Sequence, residues 1–426
     1  MYNEQVTNTM LRKLNVAQRR VLNVVQQKKQ ISRTDLASVC DMNLSMVSRA
    51  TKQLIDAGFI IETVFGKSLG GRRPIMLEIN ERYGYVIGLD FECTNIAVGI
   101  FDFSNRCIFF KHNIIKHKRY LEGLYDSLDE AMNIIEEQFG KKPLCISIAV
   151  HGRLDENTGT IKRSISFGWT DIHLRDIVMK RYEIPVYLTL NMQLAAYAEW
   201  KTTYKKQGFD SLVAFVISDG VGAGAILNGS IIHGKGAAGE IGLTFVGLKN
   251  NQERFLTLEE LAGGQYLTSS AREQWDDPSN VWLRERTHNS SEDVYIEDVL
   301  AGILAGDAFS CRLFEDMIPY IGMGIVGLIR SYDPGLIVLT GLFSVLGNRL
   351  LLPVKAWLKK NLLDEDFNNI KIEVSTLHYN TCVSGAAYIA FEHLFGDDAA
   401  LEAETAISSA AARSDDQARQ MFKVEV

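Results

Sequence analysis

From Tyr83 onward the chain passes twice through a cycle of apolar strands and a helix, and this repetition limits the fold more than anything else in the sequence. Tyr85-Val86-Ile87-Gly88-Leu89-Asp90 reads as a strand ending in a carboxylate. Ile96 to Phe103 and Cys107 to Ile115 continue it as a meander. A helix pattern runs from about Leu121 to Phe139, and Leu144 to Val150 is a buried strand. The second cycle begins with the strand Val186 to Leu190 and the helix Leu194 to Thr203. It continues with the strand Leu212 to Ser218 and the glycine-rich turn Asp219-Gly220-Val221-Gly222-Ala223-Gly224, and closes with the hairpin Ala225 to Leu227 and Ser230 to His233. Strand-rich units separated by helical periods predict an α/β fold, here duplicated into two lobes. The cleft between such lobes is the natural place for a ligand.

The 426 residues suit two or three domains, and the 46% apolar and 23% charged composition excludes global disorder. No run of 18 apolar residues and no charged-then-apolar leader is present, so a cytoplasmic protein without membrane insertion is expected. Cys40, Cys93, Cys107, Cys145, Cys311 and Cys382 are scattered without metal-type spacing, and reduced thiols are expected. The net charge of −7 is unevenly spread. Residues 1–80 hold 12 Lys and Arg against 6 Asp and Glu, a balance of +6, which leaves −13 on the rest. A basic head on an acidic body suggests that the head meets a polyanion.

The head has its own pattern. Val16 to Gln27 is an amphipathic helix. Ser32 can cap a short helix from about Arg33 to Val39, with Asp35 in its first turn and Ile31 and Leu36 as a staple. Asn43 can cap a third helix, about Leu44 to Ala57, whose buried stripe is Leu44, Val47, Ala50 and Leu54. Its other face carries Ser45, Met46, Ser48, Arg49, Lys52 and Gln53, largely hydrogen bonders and cations of the kind that reach base edges and phosphates. Two strands, Phe59 to Phe65 and Ile75 to Ile79, flank the basic tip Gly66 to Pro74, which places Arg72 and Arg73 at a backbone or in a minor groove. Helix-turn-helix followed by a hairpin is a winged helix-turn-helix for double-stranded DNA. A small helical interaction domain with solvated cations is the alternative from pattern alone. One head neutralises few phosphates, so a dimer or tetramer on adjacent half-sites is expected.

In the body, His151-Gly152-Arg153-Leu154-Asp155 with Gly159, Phe167-Gly168-Trp169, Gly220-Val221-Gly222-Ala223-Gly224 and Gly239-Glu240-Ile241-Gly242 occur in that order. Asp333-Pro334-Gly335-Leu336-Ile337-Val338-Leu339 and Gly385-Ala386-Ala387 follow. Over about residues 83 to 395 this set resembles the ROK family of repressors and sugar kinases, and Gly70-Gly71-Arg72-Arg73-Pro74 is similar to its repressor branch. The resemblance implies a winged helix-turn-helix (1–80) followed by a two-lobed actin/hexokinase-like body. Lobe 1 would be 81–190, completed by a C-terminal helix near 384–395. Lobe 2 with the dimerisation region would be 191–383, and 396–426 a polar tail to which no function attaches.

The resemblance also implies what is lost. The family's kinases place a carboxylate base after an Asn, where this chain has Asn191-Met192, and a thioether cannot take a proton. Their first phosphate loop is small, but here Asp90-Phe91-Glu92-Cys93-Thr94 adds bulk and negative charge at Phe91 and Glu92. The remaining nucleotide-site positions, Gly220, Gly222, Gly224 and Gly341, stand beside Asp219 and Leu342. Leu243 replaces the family's zinc histidine and no cysteine follows in Phe245 to Leu261, so no metal and no cofactor are expected, and coupling to the head would rest on apolar packing of 245–266 or be weakened. Asn191 and Glu240 are the expected contacts to a sugar or sugar-phosphate effector, although Asn191 as a helix cap and Glu240 as a loop carboxylate are equally compatible. His151, His173 and His233 are expected to be satisfied loop or core histidines, and Trp169 packing. These features predict a non-catalytic, sugar-sensing DNA-binding repressor of sugar uptake or catabolism genes. An active ATP-dependent sugar kinase with an appended head, or a regulator switched by a protein partner, are the alternatives.

Overall fold

The computed structural model describes residues 11, 13–65, 74–92, 95–115, 119–248, 254–377 and 381–395. Arg72, Arg73, Cys93, Thr94 and the 396–426 tail lie outside the described residues.

In the head, α1 (Val16–Lys28), α2 (Arg33–Val39) and α3 (Leu44–Asp56) each start where a side chain satisfies an orphan backbone amide. Asn15 forms a capping box with Gln18, Ser32 accepts the Asp35 N–H, and Asn43 accepts the Met46 N–H. Val21, Leu22, Val25, Leu36, Val47, Ala50 and Leu54 close the core between them. Leu44 does not join it. It is 52% exposed, because the Asn43 cap makes it the first helical residue, beyond the packed turns, and Thr51 completes the buried face instead. Strands β2 (Ile60–Phe65) and β3 (Ile75–Ile79) pair antiparallel, and β1 (Ile31–Ser32) pairs with the other edge of β3.

The body holds two five-stranded sheets with one wiring. The first contains β4 (Tyr85–Phe91), β5 (Asn95–Asp102), β6 (Cys107–Ile114), β7 (Cys145–Val150) and β11 (Val186–Leu190) in the order β11-β7-β4-β5-β6. The second contains β12 (Leu212–Ile217), β13 (Val221–Leu227), β14 (Ser230–Ile231), β17 (Leu336–Thr340) and β18 (Lys371–Val374) in the order β14-β13-β12-β17-β18. In each, a three-stranded antiparallel meander is extended by two parallel strands beside its first strand. The strand Val186 to Leu190 therefore closes the first cycle and does not open the second: it pairs parallel with β7, Val186 opposite Ile146.

The glycine-rich stretch is also not one turn. Only Ser218 to Gly220 turns, and Gly222 and Gly224 lie inside β13. A Cβ on Gly224 would strike the Met192 carbonyl, so glycine there lets α6 (Asn191–Glu199) lie against the sheet. All nine residues of α6 are buried. Helix α4 (Tyr120–Phe139) covers one face of the first sheet through Leu124, Leu128, Ala131 and Ile135, and α15 (Thr381–Phe395) packs against α6 and β4. A small sheet of β8 (Arg153–Asp155), β9 (Thr160–Ser164) and β10 (Trp169–Ile172) stands beside the gap. Helices α7 to α14, between Leu258 and Asn369, build the core under the second sheet.

Head and first lobe share one core. Phe59 of the head stacks on Tyr83 (centroids 4.6 Å apart), Tyr83 on Phe103 (4.6 Å), and Phe103 meets Phe395 of α15 at 5.1 Å. Phe59 and Phe103 are fully buried. Backbone bonds from Asn80 to Phe59 (3.0 Å) and from Phe103 to Glu81 (3.2 Å) tie the same junction. This aromatic stack, rather than the 245–266 segment, is where the head packs on the body among the described residues. Among its described residues, that segment forms a two-stranded hairpin, β15 (Phe245–Leu248) with β16 (Phe255–Thr257), whose Phe245 and Phe255 are 66% and 56% exposed, and a helical stretch from Leu258 whose Leu258 and Ala262 join the second-lobe core.

Candidate effector cleft and DNA-reading face

The residues immediately after β4, β7, β11 and β12 line a single cavity of about 830 Å³ between the lobes. Ligand sites at the carboxyl ends of parallel strands are expected in open α/β sheets. Glu92, His151, Asn191, Met192, Asp219 and Glu240 face this space, together with Gly220 and Gly222. The predicted pair Asn191 and Glu240 is thus brought into one cavity. Gly224 and Gly341 are not among its lining residues. Gly341 has φ +86° and a Cβ there would come within 2.6 Å of the Ile217 carbonyl, so glycine is required by the backbone of the loop itself.

Asn191 is 5% exposed and heavily engaged. Its Oδ1 accepts the Met192 N–H at 2.9 Å, and its Nδ2 lies 3.1 Å from His151 Nε2. Met192 is 4% exposed, and its sulfur would lie 2.9 Å from a Cβ placed on Gly222 and 3.1 Å from one on Gly239. The thioether therefore packs on the cleft wall against those two glycines. Burial pushes the Glu240 carboxyl above its ordinary range, with His151 opposing and Glu259 adding to the shift.

The pair Phe91 and Glu92 divides. Phe91 is fully buried against Phe167 (4.8 Å) and Trp169 (5.8 Å), because successive residues of β4 point to opposite faces. Only Glu92 puts its charge into the cleft. Its Oε1 lies 3.5 Å from His151 Nε2, and its Oε2 accepts from Asn95 Nδ2 at 3.0 Å. Burial works to raise the Glu92 carboxyl, but the His151 and Asn95 contacts outweigh it and hold it low. Beside it, burial and the Glu92 charge push the Asp90 carboxyl up to about 7, with His151 and the Cys382 thiol opposing. Asp90, 8% exposed, leaves its Oδ1 without a hydrogen-bond partner. The Cys382 thiol, at the start of α15, reaches the Asn191 carbonyl at 3.5 Å. Sequence reasoning missed this association. Its signal was a second carboxylate two residues after Asp90 and a histidine directly after the next parallel strand.

The other expectations are met locally. His173 Nδ1 lies 2.9 Å from Thr160 Oγ1, His233 Nδ1 lies 3.1 Å from Glu156, and Trp169 stacks on Phe167 at 4.6 Å. On α3, Ser45, Met46, Ser48, Arg49, Lys52 and Gln53 are all exposed. Gln53 accepts a hydrogen bond from Gln18 Nε2 of α1 at 3.0 Å, which fixes the outer end of that face. No helix among the described residues is long and apolar enough to cross a membrane.

A winged helix-turn-helix joined to a duplicated, cleft-bearing α/β body defines a DNA-binding regulator built on a sugar-kinase type of scaffold. Residues 14–61 match the winged helix-turn-helix DNA-binding profile, and residues 86–393 match the profile of the ROK family. The chain belongs to the ROK family, and with its DNA-binding head it is a transcriptional repressor of the sugar-responsive type. It is 26% identical over 387 residues to the xylose repressor of Caldicellulosiruptor bescii, covering 89% of this chain and 95% of that one. A ROK-family transcriptional regulator homologous to the Escherichia coli MLC protein superposes with a TM-score of 0.72 at 21% identity, over 89% of this chain and 96% of the other. A Streptomyces griseus ROK glucokinase, solved with glucose and AMPPNP, shares the fold of the body alone. Its TM-score is 0.63 at 22% identity, over 72% of this chain and 99% of that one.

Proposed function

We propose that this protein represses pentose-utilisation genes in the cytoplasm, and that a pentose such as xylose, bound without chemical change in the interlobe cleft, releases it from operator DNA. The observation that carries the reading is Met192. It stands directly after Asn191, where the resemblance places a kinase base, and its buried thioether lines the cleft wall with a group that cannot accept a proton. Loss of a positioned general base alone costs about 10²–10⁴ in rate. The same side chain shortens the cleft, which favours a five-carbon sugar over one carrying an additional hydroxymethyl group. The xylose repressors among the relatives point the same way.

Asn191 and Glu240 would hold the sugar's hydroxyls. On the head, Ser45, Met46, Ser48, Arg49, Lys52 and Gln53 would enter a major groove, with Arg72 and Arg73 at the wing. Two chains would act on adjacent half-sites. Pentose binding would change how the lobes close and, through α15 and the Phe103 stack, where each head stands.

The test combines an electrophoretic shift on the gene's own promoter fragment with a coupled kinase assay. Retardation at modest salt, relieved by xylose and insensitive to ATP, together with no sugar phosphorylation, is the expected result. Turnover of any pentose or hexose with ATP would favour the kinase alternative and overturn the non-catalytic reading.

A further inference from the structure

We infer that the cleft wall carries a zinc(II) site made by Asp90, Glu92 and His151, at a place unrelated to the cysteine-bearing loop that the resemblance implies for structural zinc. One carboxylate oxygen from each acid and one ring nitrogen of the histidine lie within 4.8 Å of one another. Zinc bonds to nitrogen and oxygen are about 2.0–2.2 Å, so tetrahedral ligand atoms stand roughly 3.4 Å apart. A contraction of somewhat more than an ångström along the longest edge closes the site.

Three potential ligand groups meet here, and one of them is buried without a partner. The Met192 N–H fixes the Asn191 amide by donating to Oδ1 at 2.9 Å, and this turns Nδ2 toward His151 Nε2 at 3.1 Å. Asn191 therefore needs a lone pair on Nε2. Glu92 Oε1, 3.5 Å from the same nitrogen, needs a proton there instead. Neither tautomer satisfies both neighbours. His151, Glu92 and Asp90 each offer one ligand atom within 4.8 Å of the others, and the buried Asp90 Oδ1 has no hydrogen-bond partner. A divalent ion bound by the nitrogen and both carboxylates would give Asp90 Oδ1 the partner it lacks, and since Nε2 has one lone pair, Asn191 Nδ2 would turn away from it.

The supporting groups are also in place. Asn95 Nδ2 holds Glu92 Oε2 at 3.0 Å, which leaves Oε1 free to ligate. One imidazole with two carboxylates is a borderline donor set suited to zinc, whereas magnesium and calcium prefer all-oxygen sites. Glu92 and His151 both face the cleft, so water completes the coordination shell from that side.

The full chain, stripped with EDTA and dialysed, is titrated with zinc(II) by calorimetry, and a cobalt(II)-loaded sample is examined by visible absorption. One ion per chain is expected, with a cobalt spectrum of nitrogen and oxygen ligation lacking thiolate charge transfer. The isosteric Glu92→Gln and His151→Asn should each abolish stoichiometric uptake. Asn95→Ala should weaken it by about 10–100-fold, as for loss of a group that orients a ligand, and His233→Asn should bind as wild type does. Absence of a stoichiometric site, uptake unchanged in Glu92→Gln and His151→Asn, or a thiolate band in the cobalt spectrum would each overturn the assignment. If His151→Asn fails to fold by circular dichroism, Glu92→Gln and the cobalt spectrum still decide.

Discussion

Replacing Phe103 by alanine should unlatch the DNA-reading head from the body. Phe103 is fully buried at the meeting point of Phe59, Tyr83, Phe391 and Phe395, the first from the head and the last two from α15. A buried Phe→Ala change costs about 3–5 kcal/mol in transfer and cavity terms. That is a large share of the roughly 5–15 kcal/mol that holds an ordinary domain together. The loss falls on a core common to head and first lobe, so it should appear as lost cooperativity as well as lost stability. All five tryptophans lie in the body, at Trp169, Trp200, Trp275, Trp282 and Trp357, so their fluorescence reports the body while far-ultraviolet circular dichroism reports both parts. In urea the wild-type signals should move together through the unfolding of head and first lobe. In Phe103→Ala part of the dichroism should be lost at lower urea than the fluorescence, and effector should no longer relieve operator binding. Phe343→Ala supplies the control: it is equally buried, in the second-lobe core, and should lower stability without freeing the head. Coincident transitions in Phe103→Ala, or the same uncoupling in Phe343→Ala, would refute the assignment of this stack as the junction.

Three further outcomes are expected. Burial pushes the Glu199 carboxyl from 4.5 up to about 7, with Ser375 and Thr340 opposing. A raised folded-state value means that its contribution is fully present below pH 4.5 and is lost as pH rises through 7. At 1.36 kcal/mol per pH unit that gap is about 3 kcal/mol, so Glu199→Gln should gain on wild type by roughly this amount at pH 8 and above in urea titrations, and parallel pH profiles would contradict it. Arg49→Ala on the exposed face of α3 should weaken operator binding, and if Arg49 meets a phosphate, the slope of log affinity against log salt should fall by about one. Met192→Ala should open the cleft end beside Gly222 and Gly239, admitting hexoses in a thermal-shift screen that leaves wild type responsive to pentoses only.

Much of the architecture was legible in the sequence because its causes are local. Asn15, Ser32 and Asn43 announce helix starts by satisfying amides two or three residues away. Alternation in Ile75, Leu77 and Ile79 and the long apolar strands of the body likewise need no distant partner to be recognised. The ordered glycine and acidic motifs brought Asn191 and Glu240 into one cleft. Errors arose where meaning depends on what lies across the sheet. Val186 to Leu190 belongs to the first cycle because β7 pairs with it, and Gly224 is small for the Met192 carbonyl, not for a phosphate. Phe91 and Glu92 are neighbours in the chain but face opposite ways.

The sequence by itself therefore determined a basic winged head and two strand-and-helix cycles, since periodicity, capping and side-chain chemistry act over a few residues. Tertiary structure alone decided that Glu92 faces His151 and that Phe59, Phe103 and Phe395 become one core. Those contacts join residues tens to hundreds of positions apart, and no local preference encodes the strand register and helix packing that bring them together.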